Sequence, residues 1–110
     1  MSEIAELTKQ IVKFRDDRNW SQFHTGKDLA ICLDVEAAEL LEVFLWKTDK
    51  EIDIDHLKDE LADVMNCALL LAHKYKLNVK DIMLAKLKKN AIKYPVKTAK
   101  NSNKKYSDLK

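Results

Sequence analysis

One glycine, Gly26, and one proline, Pro95, are the only residues of those types in this 110-residue chain. β-Hairpins lean on such residues at their tight turns, so a mainly antiparallel-sheet architecture is excluded. Cysteine is nearly as scarce. Cys32 and Cys67 stand alone, without a Cys-x-x-Cys pair, which fits buried thiols in a reducing cytoplasm better than a disulfide or a zinc site. The mostly apolar stretches 29–46 and 61–72 are broken by acids or by Asn66, so neither reads as a membrane span. Met1-Ser2-Glu3 leads directly into a helical pattern, with no signal-peptide character. A Gly-x-x-x-x-Gly-Lys-Ser/Thr loop is missing, which excludes a P-loop nucleotide site, and no serine or cysteine sits in a nucleophile arrangement.

What the chain has in quantity is helix-forming and charged residues, with 46% hydrophobic and 35% charged positions. At this length there is room for one domain, and the fold class that follows is all-α, a four-helix bundle. Ile4, Leu7, Ile11 and Phe14 mark a first helix over 3–18. A connector, Asn19-Trp20-Ser21-Gln22-Phe23-His24-Thr25-Gly26, is too rich in aromatics for a plain linker and reads as a plug or a pocket wall. Helices two and three are expected over 28–47 and 55–76, antiparallel across the polar break Thr48-Asp49-Lys50-Glu51. A fourth runs from Val79 to Lys93, capped by Asn78 and stopped before Pro95. The domain therefore spans 1–95, and the lysine-rich segment 96–110 is expected to be an extended or mobile tail.

Charge is unevenly spread. From Asp28 to Asp63 there are twelve acids against three lysines, whereas from Lys80 to Lys110 ten lysines face two acids. The lysines read first as a solvated face. Without interleaved aromatics the basic end does not read as a nucleic-acid surface.

Two acidic pairs stand out, Glu36-x-x-Glu39 and Glu60-x-x-Asp63. Residues three apart share a helix face, so each pair sets two carboxylates side by side among Ala37, Ala38, Leu40, Leu61, Ala62 and Val64. Carboxylates crowded among apolar neighbours repel one another and resist losing water unless a cation sits between them. A hard divalent ion such as Mg²⁺, itself gripping a phosphate, answers that demand. A di-iron site would need a Glu-x-x-His pair on each of two helices, and neither His56 nor His73 follows a glutamate at that spacing. On helix four, Lys86, Asn90 and Lys93 form one stripe suited to polyphosphate. Trp20, Phe23, His24 and Trp46 are candidates to enclose a base, with core packing the competing role for Phe23.

Helix three carries apolar residues around most of its circumference. Leu57, Leu61, Val64, Ala68, Leu71 and Tyr75 form one stripe, and Met65, Leu69, Leu70 and Ala72 extend it. A helix apolar nearly all round needs burial nearly all round, so a homodimer or dimer of dimers is expected.

These same residues carry a resemblance. Glu36-Ala37-Ala38-Glu39 followed by Glu60-Leu61-Ala62-Asp63 resembles the Glu-Glu-x-x-Glu and Glu-x-x-Asp pattern of the MazG-like all-α nucleoside triphosphate pyrophosphohydrolases, with Val35 in place of the first acid. Arg18 to His24, Phe44 to Asp49, Asn90 to Pro95 and Lys104 to Leu109 resemble the dCTP pyrophosphatase branch. The resemblance implies hydrolysis of a (deoxy)nucleoside triphosphate to the monophosphate and pyrophosphate. It implies Glu36, Glu39, Glu60 and Asp63 as Mg²⁺ ligands; by position, Glu36 or Glu39 is the acid expected to orient or deprotonate the attacking water. Trp20, Phe23, His24 and Trp46 would line the base and sugar pocket, and Lys86, Asn90 and Lys93 would contact phosphate. The chain departs from that branch at Ile11 and Cys67, where a pocket histidine and tyrosine are expected, so it offers fewer polar groups to select cytosine. A helical protein-interaction module with acidic and basic faces is the alternative of a different class.

Overall fold

In the computed structural model, which describes residues 2–109, each long helix begins at a side chain that accepts a hydrogen bond from the first turn. Four backbone N–H groups lack helical partners at every helix start, and a short polar side chain supplies one. Ser2 Oγ accepts from the Ala5 amide at 3.1 Å and opens α1, Glu3–Asp17. Thr25 Oγ1 accepts from the Asp28 amide at 3.1 Å and donates to Asp28 Oδ2 at 2.8 Å, opening α2, Gly26–Glu42. Asp53 Oδ1 accepts from the amides of Asp55 and His56 at the start of α3, Ile54–Lys74. Asn78 caps α4, Val79–Lys93, as the sequence predicts. A four-residue α5, Val96–Ala99, follows Pro95. Two 3₁₀ turns, Trp20–Phe23 and Tyr106–Asp108, complete the order. Among the described residues there is no strand, and no helix is long and apolar enough to cross a membrane.

The chain divides into two compact units, the first ending at Leu77 and the second beginning at Asn78. In the first, α3 packs against α2 and α1. Cys32 of α2 meets Cys67 of α3, and Glu36 meets Glu60 and Asp63. Advancing along α2 thus means retreating along α3, so the two helices run antiparallel. Leu29, Val43, Cys67 and Ala72 form the buried core, with Leu29 and Val43 almost fully enclosed. Gly26 has no positive φ, and what it provides is space: the Tyr75 hydroxyl lies where a Cβ at Gly26 would go.

Two expectations need correcting. Helix two stops at Glu42, not Lys47. Residues 43–45 tighten into i→i−3 bonds, and Trp46 takes a left-handed conformation with φ 63°. The connection to α3 is therefore 43–53, longer than the polar break alone. Nothing in Leu40 to Lys47 announces this stop, because the apolar pattern runs through it without a glycine or asparagine. α3, by contrast, ends in a Schellman motif. Lys76 N–H bonds the His73 carbonyl, Leu77 N–H bonds the Ala72 carbonyl, and Lys76 takes φ 55°.

In the second unit the segment after Pro95 is not an extended tail. Beyond α5 it turns so that Tyr106 packs edge-on against Tyr94, centroids 6.0 Å apart, with Lys93 Nζ 4.8 Å from the Tyr106 ring centroid. An aromatic edge and a cation–π contact hold what its lysines alone would leave in solvent.

Candidate metal centre

Antiparallel pairing of α2 and α3 turns two local i, i+3 patterns into one cluster. Carboxylate oxygens of Glu36, Glu60 and Asp63 lie within 4.8 Å of one another. Glu39 is outside that trio but stands one turn along α2, near enough to Glu36 to act on it by hydrogen bonding and by charge. Glu36 and Glu60 are partly buried, and the Oε2 atom of each is enclosed with no hydrogen-bond partner among the described residues. An enclosed carboxylate oxygen without a donor is costly. Two of them beside a third carboxylate form a set of hard oxygen donors suited to a divalent cation.

The electrostatics agree. Burial, then Glu39, then the charges of Asp63 and Glu60 push the Glu36 carboxyl up to about 7. Burial first, then the adjacent Cys32 and the charges of Glu36 and Asp63, push the Cys67 thiol up to about 12. The cluster is a concentrated negative field, which a cation would relieve.

The remaining candidate residues are distributed more widely. Trp20 sits in the 3₁₀ turn, edge-on to Phe14 with centroids 5.9 Å apart, and the Arg18 guanidinium lies 3.6 Å from the Phe14 ring centroid. Phe23 is 63% exposed and so is not a core aromatic. His24 is partly buried, and its Nδ1 is enclosed without a partner among the described residues. Trp46 lies beyond the end of α2. It is off the helix and 99% exposed. Lys86, Asn90 and Lys93 share a face of α4 in the second unit, Asn90 partly buried and both lysines exposed. One functional candidate escaped the sequence reading, which weighed His56 only as an iron ligand. Its Nε2 lies 3.3 Å from Glu60 Oε1. The signal was the i, i+4 spacing of His56 and Glu60.

An antiparallel helix pair presenting acids from both helices defines an all-helical protein with a carboxylate cluster able to hold a divalent cation. Comparison with known proteins narrows that class. The sequence profile of the MazG-like family matches residues 31–109. The human dCTP pyrophosphatase 1 is 31% identical over 114 aligned positions, covering 96% of this chain and 67% of that protein, and the mouse enzyme of the same name is 30% identical. A crystal structure of a pyrophosphatase from Archaeoglobus fulgidus superposes with a TM-score of 0.80 at 33% identity, covering 86% of this chain and 94% of that one. The chain belongs to the MazG-like family.

Proposed function

We propose that this protein is a Mg²⁺-dependent nucleoside triphosphate pyrophosphohydrolase, releasing monophosphate and pyrophosphate from (deoxy)nucleotides, dCTP among them, and clearing the cytoplasmic nucleotide pool. The observation that carries the reading is the convergence of Glu36, Glu60 and Asp63 within 4.8 Å, two of them with enclosed, unpartnered oxygens. Support comes from relatives whose names are dCTP pyrophosphatase 1 and pyrophosphatase.

Glu36, Glu39, Glu60 and Asp63 would hold the ion. Bound Mg²⁺ would neutralise phosphate charge and lower the pKa of a water molecule. Glu36 or Glu39 would orient the attacking water or accept its proton at a carboxylate oxygen. Lys86, Asn90 and Lys93 hold the polyphosphate, and Trp20, Phe23, His24 and Trp46 enclose the base and sugar. Residues 1–95 form the catalytic domain, with 96–110 appended to it.

The working form is a homodimer or a dimer of dimers. Leu7, Phe14, Leu61 and Met65 are all about half exposed on α1 and α3.

Incubation with each of the common ribo- and deoxyribonucleoside triphosphates and Mg²⁺, resolving the products by ion-exchange chromatography, tests the proposal. Monophosphate and pyrophosphate in equal amounts are expected. Intact nucleotide throughout would return the protein to the class of helical interaction modules.

A further inference from the structure

His56 stands at the third position of α3, where its own amide is held by the Asp53 cap, and its side chain reaches one turn forward to Glu60. Nε2 lies 3.3 Å from Glu60 Oε1, with side-chain exposures of 49% for the histidine and 17% for the glutamate. Among the described residues, His56 is the only nitrogen donor within ion-pair or hydrogen-bond distance of any of the four acids. The two oxygens of Glu60 are thus unequal. Oε1 faces the imidazole, while Oε2 is enclosed and without a partner.

We infer that His56 is a positioning residue for the metal centre: by donating Nε2–H to Glu60 Oε1 it fixes the carboxylate and leaves Oε2 for the cation. The inference rests on the reading of the acidic cluster as a divalent-cation site. Neutral imidazole protonated at Nε2 suffices, so the contact does not depend on a charged ring. A glutamate on a helix samples several side-chain conformers, and an ion captures only those that face it. Holding one of them in advance raises affinity without adding a ligand. Partners of this kind, one bond removed from the ion, are worth about ten- to a hundred-fold in metal affinity. A merely helix-stabilising i, i+4 pair would leave metal affinity alone.

Mn²⁺ serves as the probe, titrated into the intact protein and followed by the electron paramagnetic resonance of the free ion. His56→Ala should weaken Mn²⁺ binding about tenfold or more, and the Mg²⁺ needed for half-maximal turnover should rise with it. kcat at saturating Mg²⁺ should hold. His56→Gln keeps an N–H donor at similar reach and should stay within about threefold of wild type on the same scale. Position 56 is exposed and helical, so alanine there preserves the fold, and matching circular dichroism checks this. A His56→Ala affinity within twofold of wild type, or equal losses in His56→Ala and His56→Gln, overturns the positioning role. Glu60→Gln separates this from the parent reading. If wild type binds no Mn²⁺, or Glu60→Gln binds it as tightly as wild type, the cation site itself falls, and the role of His56 with it.

Discussion

The thiols of Cys32 and Cys67 meet across the α2–α3 interface, Sγ to Sγ 2.9 Å, each one helical turn from an acid of the cluster. Cys32 precedes Glu36 by four residues and Cys67 follows Asp63 by four. Both are free thiols, Cys67 buried and Cys32 partly exposed.

The Cys67 thiol is pushed up to about 12, chiefly by burial and then by Cys32 and the nearby acids. Its folded pKa lies above its unfolded one. The stability it contributes is therefore fully present below about pH 9 and is lost as pH climbs toward 12. A thiol held neutral is also a poor nucleophile. A disulfide reagent at pH 8 should modify Cys32 in the native protein and reach Cys67 only with denaturant. Equal rates at both positions, resolved by peptide mass spectrometry, would contradict this burial.

Glu36 gives a second pH dependence, at lower pH. Its carboxyl is raised from 4.5 to about 7, so in the metal-free protein its stability contribution is present below 4.5 and fades as pH rises through 7. Melting temperature in chelator should fall between those limits, Mg²⁺ should restore it above pH 7, and Glu36→Gln should flatten the slope. Differential scanning calorimetry with and without Mg²⁺ reads all three. A chelated protein whose melting temperature rises from pH 4.5 to 7 would speak against a crowded, cation-free Glu36.

Glu60→Gln and Asp63→Asn should abolish turnover while circular dichroism stays helical. An amide keeps the shape but not the charge a divalent ion requires. Removing one of several crowded carboxylates should also stabilise the metal-free fold. Near wild-type activity of either variant at limiting Mg²⁺ would take these positions out of the metal site.

Helix starts were legible from the sequence because the determinant is local. A Ser, Thr, Asp or Asn placed before the helix caps it whatever the rest of the chain does, as at Asn78. Helix ends were less so. Lys76 and Trp46 both take left-handed geometry without the glycine that usually signals it, and in α2 the apolar pattern runs past the true end. The acidic cluster could be read because its geometry is two i, i+3 pairs plus antiparallel packing. His56 was missed although its i, i+4 spacing to Glu60 signalled the pair, because which Glu60 oxygen is enclosed is set by packing and not by spacing. The segment after Pro95 was misread because lysine content outweighed Tyr106, the residue that anchors it to Tyr94.

The exposed apolar surface of α1 and α3 leads to a prediction about assembly. Leu61 and Met65 lie about half exposed on α3, and charge at either would resist burial in an interface. Leu61→Glu with Met65→Glu should shift sedimentation toward the monomer and lower the melting temperature. Wild type sedimenting as a stable folded monomer at micromolar concentration would remove the proposed oligomer.

Trp46 combines two costs that a protein seldom accepts together, a bulky indole fully in solvent and a left-handed backbone at φ 63°. Left-handed geometry costs an L-residue roughly 1–2 kcal/mol, and glycine escapes it. Trp46→Gly should therefore stabilise the free protein by about 1 kcal/mol, since the ring contributes almost no burial in the chain itself. Residues kept in strained geometry at the surface cluster at ligand sites, and an exposed indole is suited to stacking on a nucleotide base. Losing that stacking removes about 1–3 kcal/mol of binding, or roughly a five- to hundred-fold rise in KM if KM follows binding. Stacking is indifferent to base identity, so the rise should be similar across nucleotides, and selection falls to polar groups that Ile11 and Cys67 do not supply. At least one nucleotide other than dCTP should then be cleaved within about tenfold of it. Chemical denaturation and steady-state kinetics of Trp46→Gly separate the two effects. A variant that is more stable with unchanged KM for every nucleotide would leave the indole without a role in binding, and a hundredfold preference of wild type for dCTP would defeat the relaxed pocket.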